Sequence, residues 1–161
     1  MISEKLQAAF NRQINGEMWS SNLYLAMSYY LAKEGYEGFA KWLKIQSKEE
    51  LEHAYTLADF VVKRGGEVKI ESIAEVPQSW ATLLEVFEQV YTHECKISSM
   101  INDLLDIATA DRDNAAQDLL WTYVREQVEE EASTQGIVEK LKRCQDHAGI
   151  LYLDDKLGER N

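Results

Sequence analysis

Glutamates interrupt four long apolar stripes of this chain at matched depths. Glu17 lies in the first stripe, Glu50 and His53 in the second, Glu94 in the third, and Gln127 and Glu130 in the fourth. The spacing repeats: Glu50 and His53 follow Glu17 by 33 and 36 residues, and Gln127 and Glu130 follow Glu94 by the same 33 and 36. A constant offset of 77 maps the first set onto the second, which is a degenerate internal repeat. A pseudo-twofold axis relating the two halves brings both sets to one centre. A carboxylate moved into a core without a partner costs several kcal/mol, and neighbouring carboxylates also repel one another. No Lys or Arg stands at the middle of any stripe, so the counter-charge left is metal, two divalent cations against four glutamates. Carboxylate oxygens with one imidazole suit iron, and also manganese or zinc. The i, i+3 spacing of Glu50 and His53 puts both on one helix face, where they can share an ion. One such glutamate alone, or an isolated Glu-x-x-His, is more often a paired or solvent-seeking residue. The joint pattern is what points to a metal pair.

The elements that must carry these residues are helices. Apolar residues recur in steps of three and four, as in Leu6, Phe10, Tyr24, Met27 and Leu31, or Ala116, Leu120, Tyr123, Ile137 and Leu141. The pattern predicts helices from about Ser3 to Lys33, Glu37 to Arg64, Ser79 to Ala110 and Asp113 to Cys144. Ser3 and Ser79 are the expected N-caps, and Gly35 and Gly65-Gly66 the expected stops. These spans far exceed the usual ~11–12 residues, so the helices must pack lengthwise. The links near Gly35 and Asp111 are short and join antiparallel pairs. The link from Gly65 to Gln78 is long enough to cross the bundle and set helices two and three parallel. After Cys144, the residues Ile150, Leu151, Leu153 and Leu157 mark a fifth helix from about Ala148 to Leu157. Its apolar side has two available places, its own bundle or a contact between subunits.

The segments NGEMWSSNLY, KEELEH and REQVEEE resemble those of bacterial non-haem ferritins, and the resemblance runs over nearly the whole chain. It implies an all-α, ferritin-like four-helix bundle with one long crossover and a short fifth helix, forming a single domain over residues 1–161. The second motif, Gln127-x-x-Glu130, lacks the histidine of bacterioferritins and of many di-iron oxygenases and has the asymmetry of storage ferritins. Residue by residue, the resemblance implies that Glu17, Glu50 and His53 hold one iron. Glu50 bridges to a second iron held with Glu94 and Glu130, and Gln127 sits beside the pair as a hydrogen-bonding neighbour. Tyr24, on the same stripe as Glu17, is either a ligand-touching electron donor or a core tyrosine with a satisfied hydroxyl. Glu49, Glu126 and Glu129 adjoin the ligands in sequence, and 77 residues separate Glu49 from Glu126. In the family the corresponding glutamates, with Glu130, form a third iron site facing the cavity. The implied activity is a ferroxidase: Fe(II) is oxidised by dioxygen or hydrogen peroxide and stored as ferric oxyhydroxide in a 24-subunit shell, with the fifth helix lining fourfold contacts. Haem is not expected, because Leu51 stands where bacterioferritins place a methionine.

Other residues carry weaker signals. His93 and His147 lack partner motifs, which points to solvent or interface positions. Trp121 and the other tryptophans fit packing roles, with Trp121 a candidate electron relay. Cys95 and Cys144 form no CxxC pair and, without a signal peptide, fit free thiols in a reducing cytoplasm. The net charge of −11 disfavours nucleic acid and anionic membranes and favours cations. A single proline and few glycines suit a helical chain. Two other readings share part of the pattern: a peroxide-consuming di-iron peroxidase, and a helical interaction protein without metal. A rubrerythrin adds a CxxC…CxxC module that this sequence lacks, and a mini-ferritin has no fifth helix.

Overall fold

The first helix opens where the Ser3 hydroxyl accepts a hydrogen bond from the Leu6 amide at 3.1 Å, the satisfied N-cap its sequence predicts. The computed structural model describes residues 1–144 and 146–161. Every regular element among them is helical: α1 (Glu4–Lys33), α2 (Glu37–Lys63), α3 (Leu83–Ala110), α4 (Asn114–Arg143) and α5 (His147–Gly158). α1 ends at Gly35, whose φ of +90° lets the Tyr36 amide reach the Leu31 carbonyl at 2.9 Å. α2 closes the same way at Gly65, with φ +76°. α3 closes in this form around Arg112, a non-glycine residue held at φ +54°. Asp113 then caps α4 by accepting from the Ala116 amide, while its carboxylate takes a two-point ion pair from Arg64 at 2.8 and 2.9 Å.

α3 begins later than the expected Ser79. Thr82 is the N-cap: its hydroxyl accepts from the Glu85 amide at 3.0 Å, and the Glu85 carboxylate accepts from the Ala81 amide at 2.6 Å. The Thr-x-x-Glu signature of such a cap is present in the sequence. What withholds residues 79–82 from the helix is Trp80, which is buried and bonds through its carbonyl to the Tyr30 hydroxyl and through its indole N–H to Gln89.

The crossover between α2 and α3 is not a free loop. Gln7, Asn11 and Asn15, one helical turn apart on α1, present their amides to alternate residues of the passing chain. Glu67 N–H donates to Gln7, Lys69 N–H to Asn11 and Glu71 N–H to Asn15, at 2.8, 2.7 and 2.9 Å. The Asn11 and Asn15 amides donate back to the carbonyls of Glu67 and Lys69. Four helical residues rise about 6 Å and two extended residues about 6.6 Å, so the two ladders stay in step. The crossover thus runs along α1 toward Tyr30, where α3 starts, and α3 returns parallel to α2.

α1 pairs with α2 and α3 with α4, α1 also meets α3, and α5 lies on α2. α2 and α4 make no comparable backbone approach. The core is split in two. One apolar cluster holds Tyr24, Phe39, Trp42 and Phe87, and the other holds Phe10, Leu57, Ile101 and Leu120. Between them lies a buried polar layer that includes Glu17, Gln46, Glu50, Glu94 and Gln127.

α5 docks on its own bundle through Ile150, Leu153 and Leu157, while Leu151 and Tyr152 stay exposed. The approach is close: a Cβ on Gly38 would lie 1.7 Å from the Asp154 carbonyl oxygen. Asp154 also supplies what α2 lacks, since Tyr36 makes no side-chain cap and the Asp154 carboxylate accepts from the Phe39 amide at 2.9 Å.

Candidate metal centre

Glu17, Glu50 and His53 converge in the polar layer, with one potential ligand atom from each lying within 4.8 Å of the others. Helical pitch sets this up: Glu50 and His53 share a face of α2, and Glu17 meets them from α1. Gln13, one turn before Glu17, donates to Glu17 Oε1 at 2.6 Å. Glu17 Oε2 is buried and finds no hydrogen-bond partner among the described residues. A buried oxygen of this kind is costly unless something fills its lone pairs, and in this cluster of acids a cation is what fits.

The residues from α3 and α4 are organised differently. Glu94 on α3 is fully buried and accepts from the Tyr24 hydroxyl on one oxygen and from Gln127 Nε2, at 3.0 Å, on the other. Tyr24 therefore has a satisfied hydroxyl and touches a ligand candidate. Gln127 also reaches the Glu94 carbonyl and Ser98. Glu130 comes from α4 and accepts from Gln46 Nε2 at 3.0 Å. Glu94 and Glu130 thus face the same layer, but among the described residues only the first three stand within one ion's reach.

Protonation follows from the crowding. Burial pushes Glu17 far above the usual carboxylate range, with repulsion from Glu50 adding to it. Burial also raises Glu50 and Glu130. It raises Glu94 to about 7 against the relief given by Tyr24 and Gln127. Burial works against a charged imidazole at His53, but hydrogen bonds to Glu126 and Glu50 outweigh it and raise the ring to about 11. The ring sits 3.1 Å from Glu126 and 3.4 Å from Glu50, edge-on to Tyr123.

Glu49, Glu126 and Glu129 lie on the open α2–α4 seam. Glu126 is tied to His53, Glu129 is exposed, and Glu49 is half-buried and paired with Arg160 at 2.6 Å. Gln13, Gln46 and Arg160 were given no role by the sequence. The two glutamines had a readable signal, being polar residues on apolar stripes one turn before Glu17 and Glu50. Arg160 follows α5 and had none.

His93 departs from expectation. It is buried between α1 and α3, with Nε2 2.7 Å from the Ser20 hydroxyl and its ring against Trp19 and Tyr24, and burial lowers it to about 4. Trp121 departs too: it is 48% exposed and joins neither apolar cluster among the described residues. Cys95 and Cys144 are free and half-buried, and His147 is exposed.

Known proteins are similar to this chain in sequence and fold. The family model for the ferritin-like domain matches residues 7–144. A bacterial non-heme ferritin of Bacteroides fragilis is 58% identical over 160 residues, which is 99% of this chain and 100% of that protein. A bacterial non-heme ferritin of Campylobacter jejuni is 35% identical over 156 residues, covering 97% of this chain and 93% of its own. Among solved structures, an open-pore ferritin from the hyperthermophilic archaeon Archaeoglobus fulgidus superposes with a TM-score of 0.97 at 44% identity, covering 100% of both chains.

Proposed function

From the premise that the chain belongs to the ferritin family, we propose that it is an iron-storing ferroxidase subunit. Fe(II) is the substrate. Glu17, Glu50 and His53 take one ion, and Glu94 and Glu130 take the second, with Glu50 bridging. Two Fe(II) ions supply two electrons, enough to reduce dioxygen to hydrogen peroxide or hydrogen peroxide to water. Carboxylate oxygens favour the harder Fe(III) product, and a single imidazole leaves coordination positions open to the oxidant. Gln127 and Tyr24 hold Glu94 in place. Fe(III) then moves through Glu49, Glu126, Glu129 and Glu130 to a cavity and mineralises as ferric oxyhydroxide. The cavity belongs to a homo-oligomeric shell of 24 subunits in the cytoplasm. The exposed Leu151 and Tyr152 of α5 suit a contact between copies.

The observation that carries this reading is the converging Glu17–Glu50–His53 group with its partnerless Glu17 oxygen. The test is Fe(II) addition in air to purified iron-free protein, followed by size exclusion with iron detection. Iron co-eluting at hundreds of atoms per large assembly is the expected result. Two or three irons per subunit without mineral would refute storage while keeping the paired site, and no bound iron would refute both.

A further inference from the structure

The α2–α4 seam is acidic, yet a cation already stands in it. Arg160 follows α5 and folds back so that Nη2 donates to Glu49 Oε2 at 2.6 Å. Its guanidinium lies over the Trp42 ring, 4.7 Å from the centroid, and its charge acts favourably on Glu130. Nη1 is buried and has no hydrogen-bond partner among the described residues. Arg160 lines one groove with Trp42, Glu129, Glu130 and Lys156. Lys156 is engaged by Glu159 at 3.0 Å, so Arg160 is the cation that answers Glu49 and Glu130.

We propose that Arg160 is a displaceable counter-ion of the Glu49–Glu126–Glu129–Glu130 cluster, a positioning residue that holds the place of a metal ion and must swing off Glu49 before one binds there. The inference rests on the reading that this cluster takes a metal. The incomplete bonding of Arg160 suits such a part. One guanidinium nitrogen is spent on Glu49 and another is left without a partner, so leaving costs less than breaking a two-point fork like Arg64–Asp113. The Trp42 face gives the guanidinium a place to stay when Glu49 is taken. The consequence is a cluster that binds weakly enough to release what it receives, suited to passing ions along rather than holding them.

The experiment compares the full-length metal-free protein with R160Q and R160K, using Zn(II) as a redox-inert probe in isothermal titration calorimetry. R160Q is expected to bind zinc at the cluster about tenfold more tightly, the scale of one unit charge a few ångströms away in a partly solvated setting. The gain should vanish when Glu49→Gln is added to R160Q, and R160K should stay near the wild type. Unchanged or weaker cluster binding in R160Q would overturn the proposal. Should R160Q fail to fold, zinc-soaked crystals of the wild-type protein decide: zinc on Glu49 with the guanidinium moved away supports the proposal, and zinc on Glu49 with the Arg160 bond intact overturns it. Zinc absent from this cluster in every variant, while bound at Glu17, Glu50 and His53, overturns the inference and leaves the ferroxidase pair standing.

Discussion

Metal should enter the paired site by displacing protons, and the number released can be worked out beforehand. In the metal-free protein burial holds Glu17 far above the usual carboxylate range, His53 is a cation up to about pH 11, and Glu94 titrates near 7. Ligation needs all three deprotonated. At pH 6.5 His53 is charged and Glu94 is about three-quarters protonated, so filling both positions releases about two protons per subunit from these two groups. Zn(II) without oxygen is the clean probe, since it neither oxidises nor mineralises, and pH 6.5 keeps bound water mostly intact. The assay is a titration in weak buffer with a pH indicator. The sign is fixed: groups whose proton affinity is raised in the metal-free fold compete with the metal, so affinity must rise with pH across the range where they ionise. The same shift governs stability. A carboxylate with a raised folded value favours the fold at low pH and loses that contribution as pH rises through it, for Glu94 between 4.5 and about 7. The metal-free protein should therefore lose stability over that window, and zinc should restore it. His53→Ala should release about one proton fewer. Release of less than one proton per subunit by the wild type would refute the protonation pattern and the crowding from which it is drawn.

Replacing Glu50 and His53 together by alanine removes two of the three converging groups, and Fe(II) oxidation followed by absorbance should fall at least about a hundredfold, the scale of losing a metal site, with the size-exclusion profile unchanged. Gly38→Ala drives a methyl into the Asp154 backbone; α5 should lift from α2, and limited proteolysis should cut near α5 where the wild type resists. Arg112→Gly relieves a side chain held at φ +54° and should stabilise the fold by up to about 1 kcal/mol, seen as a higher denaturant midpoint.

The helices were legible because a 3.6-residue period sustained over some thirty residues leaves little choice, and the candidate site because polar residues interrupt all four stripes at one offset. What escaped was set by partners distant in sequence. Ser79 and Thr82 are both fair caps, and the burial of Trp80 against Tyr30 and Gln89 decides between them. His93 has no motif because its surroundings come from Ser20 and Trp19 on α1. Arg160 reaches Glu49 only after α5 has turned the chain back. The crossover ladder lay in plain sight as Gln7, Asn11 and Asn15, but its partners carry no side-chain signal because they are backbone. The repeat itself shows where symmetry stops. Gln13 and Gln46 are separated by the same 33 residues as Glu17 and Glu50, whereas the 77 offset meets Val90 and Tyr123 in the second half. Gln13 braces Glu17 within its own helix, but Gln46 turns across the seam to Glu130, and Glu94 takes its support from Tyr24 and Gln127. The first position is thus gathered around an unfilled oxygen and an imidazole, and the second is held apart by hydrogen bonds that an arriving ion must loosen. A centre built this way should fill in order, first at Glu17, Glu50 and His53 and then at Glu94 and Glu130, and calorimetry should resolve two unequal zinc affinities where a symmetric pair would give one.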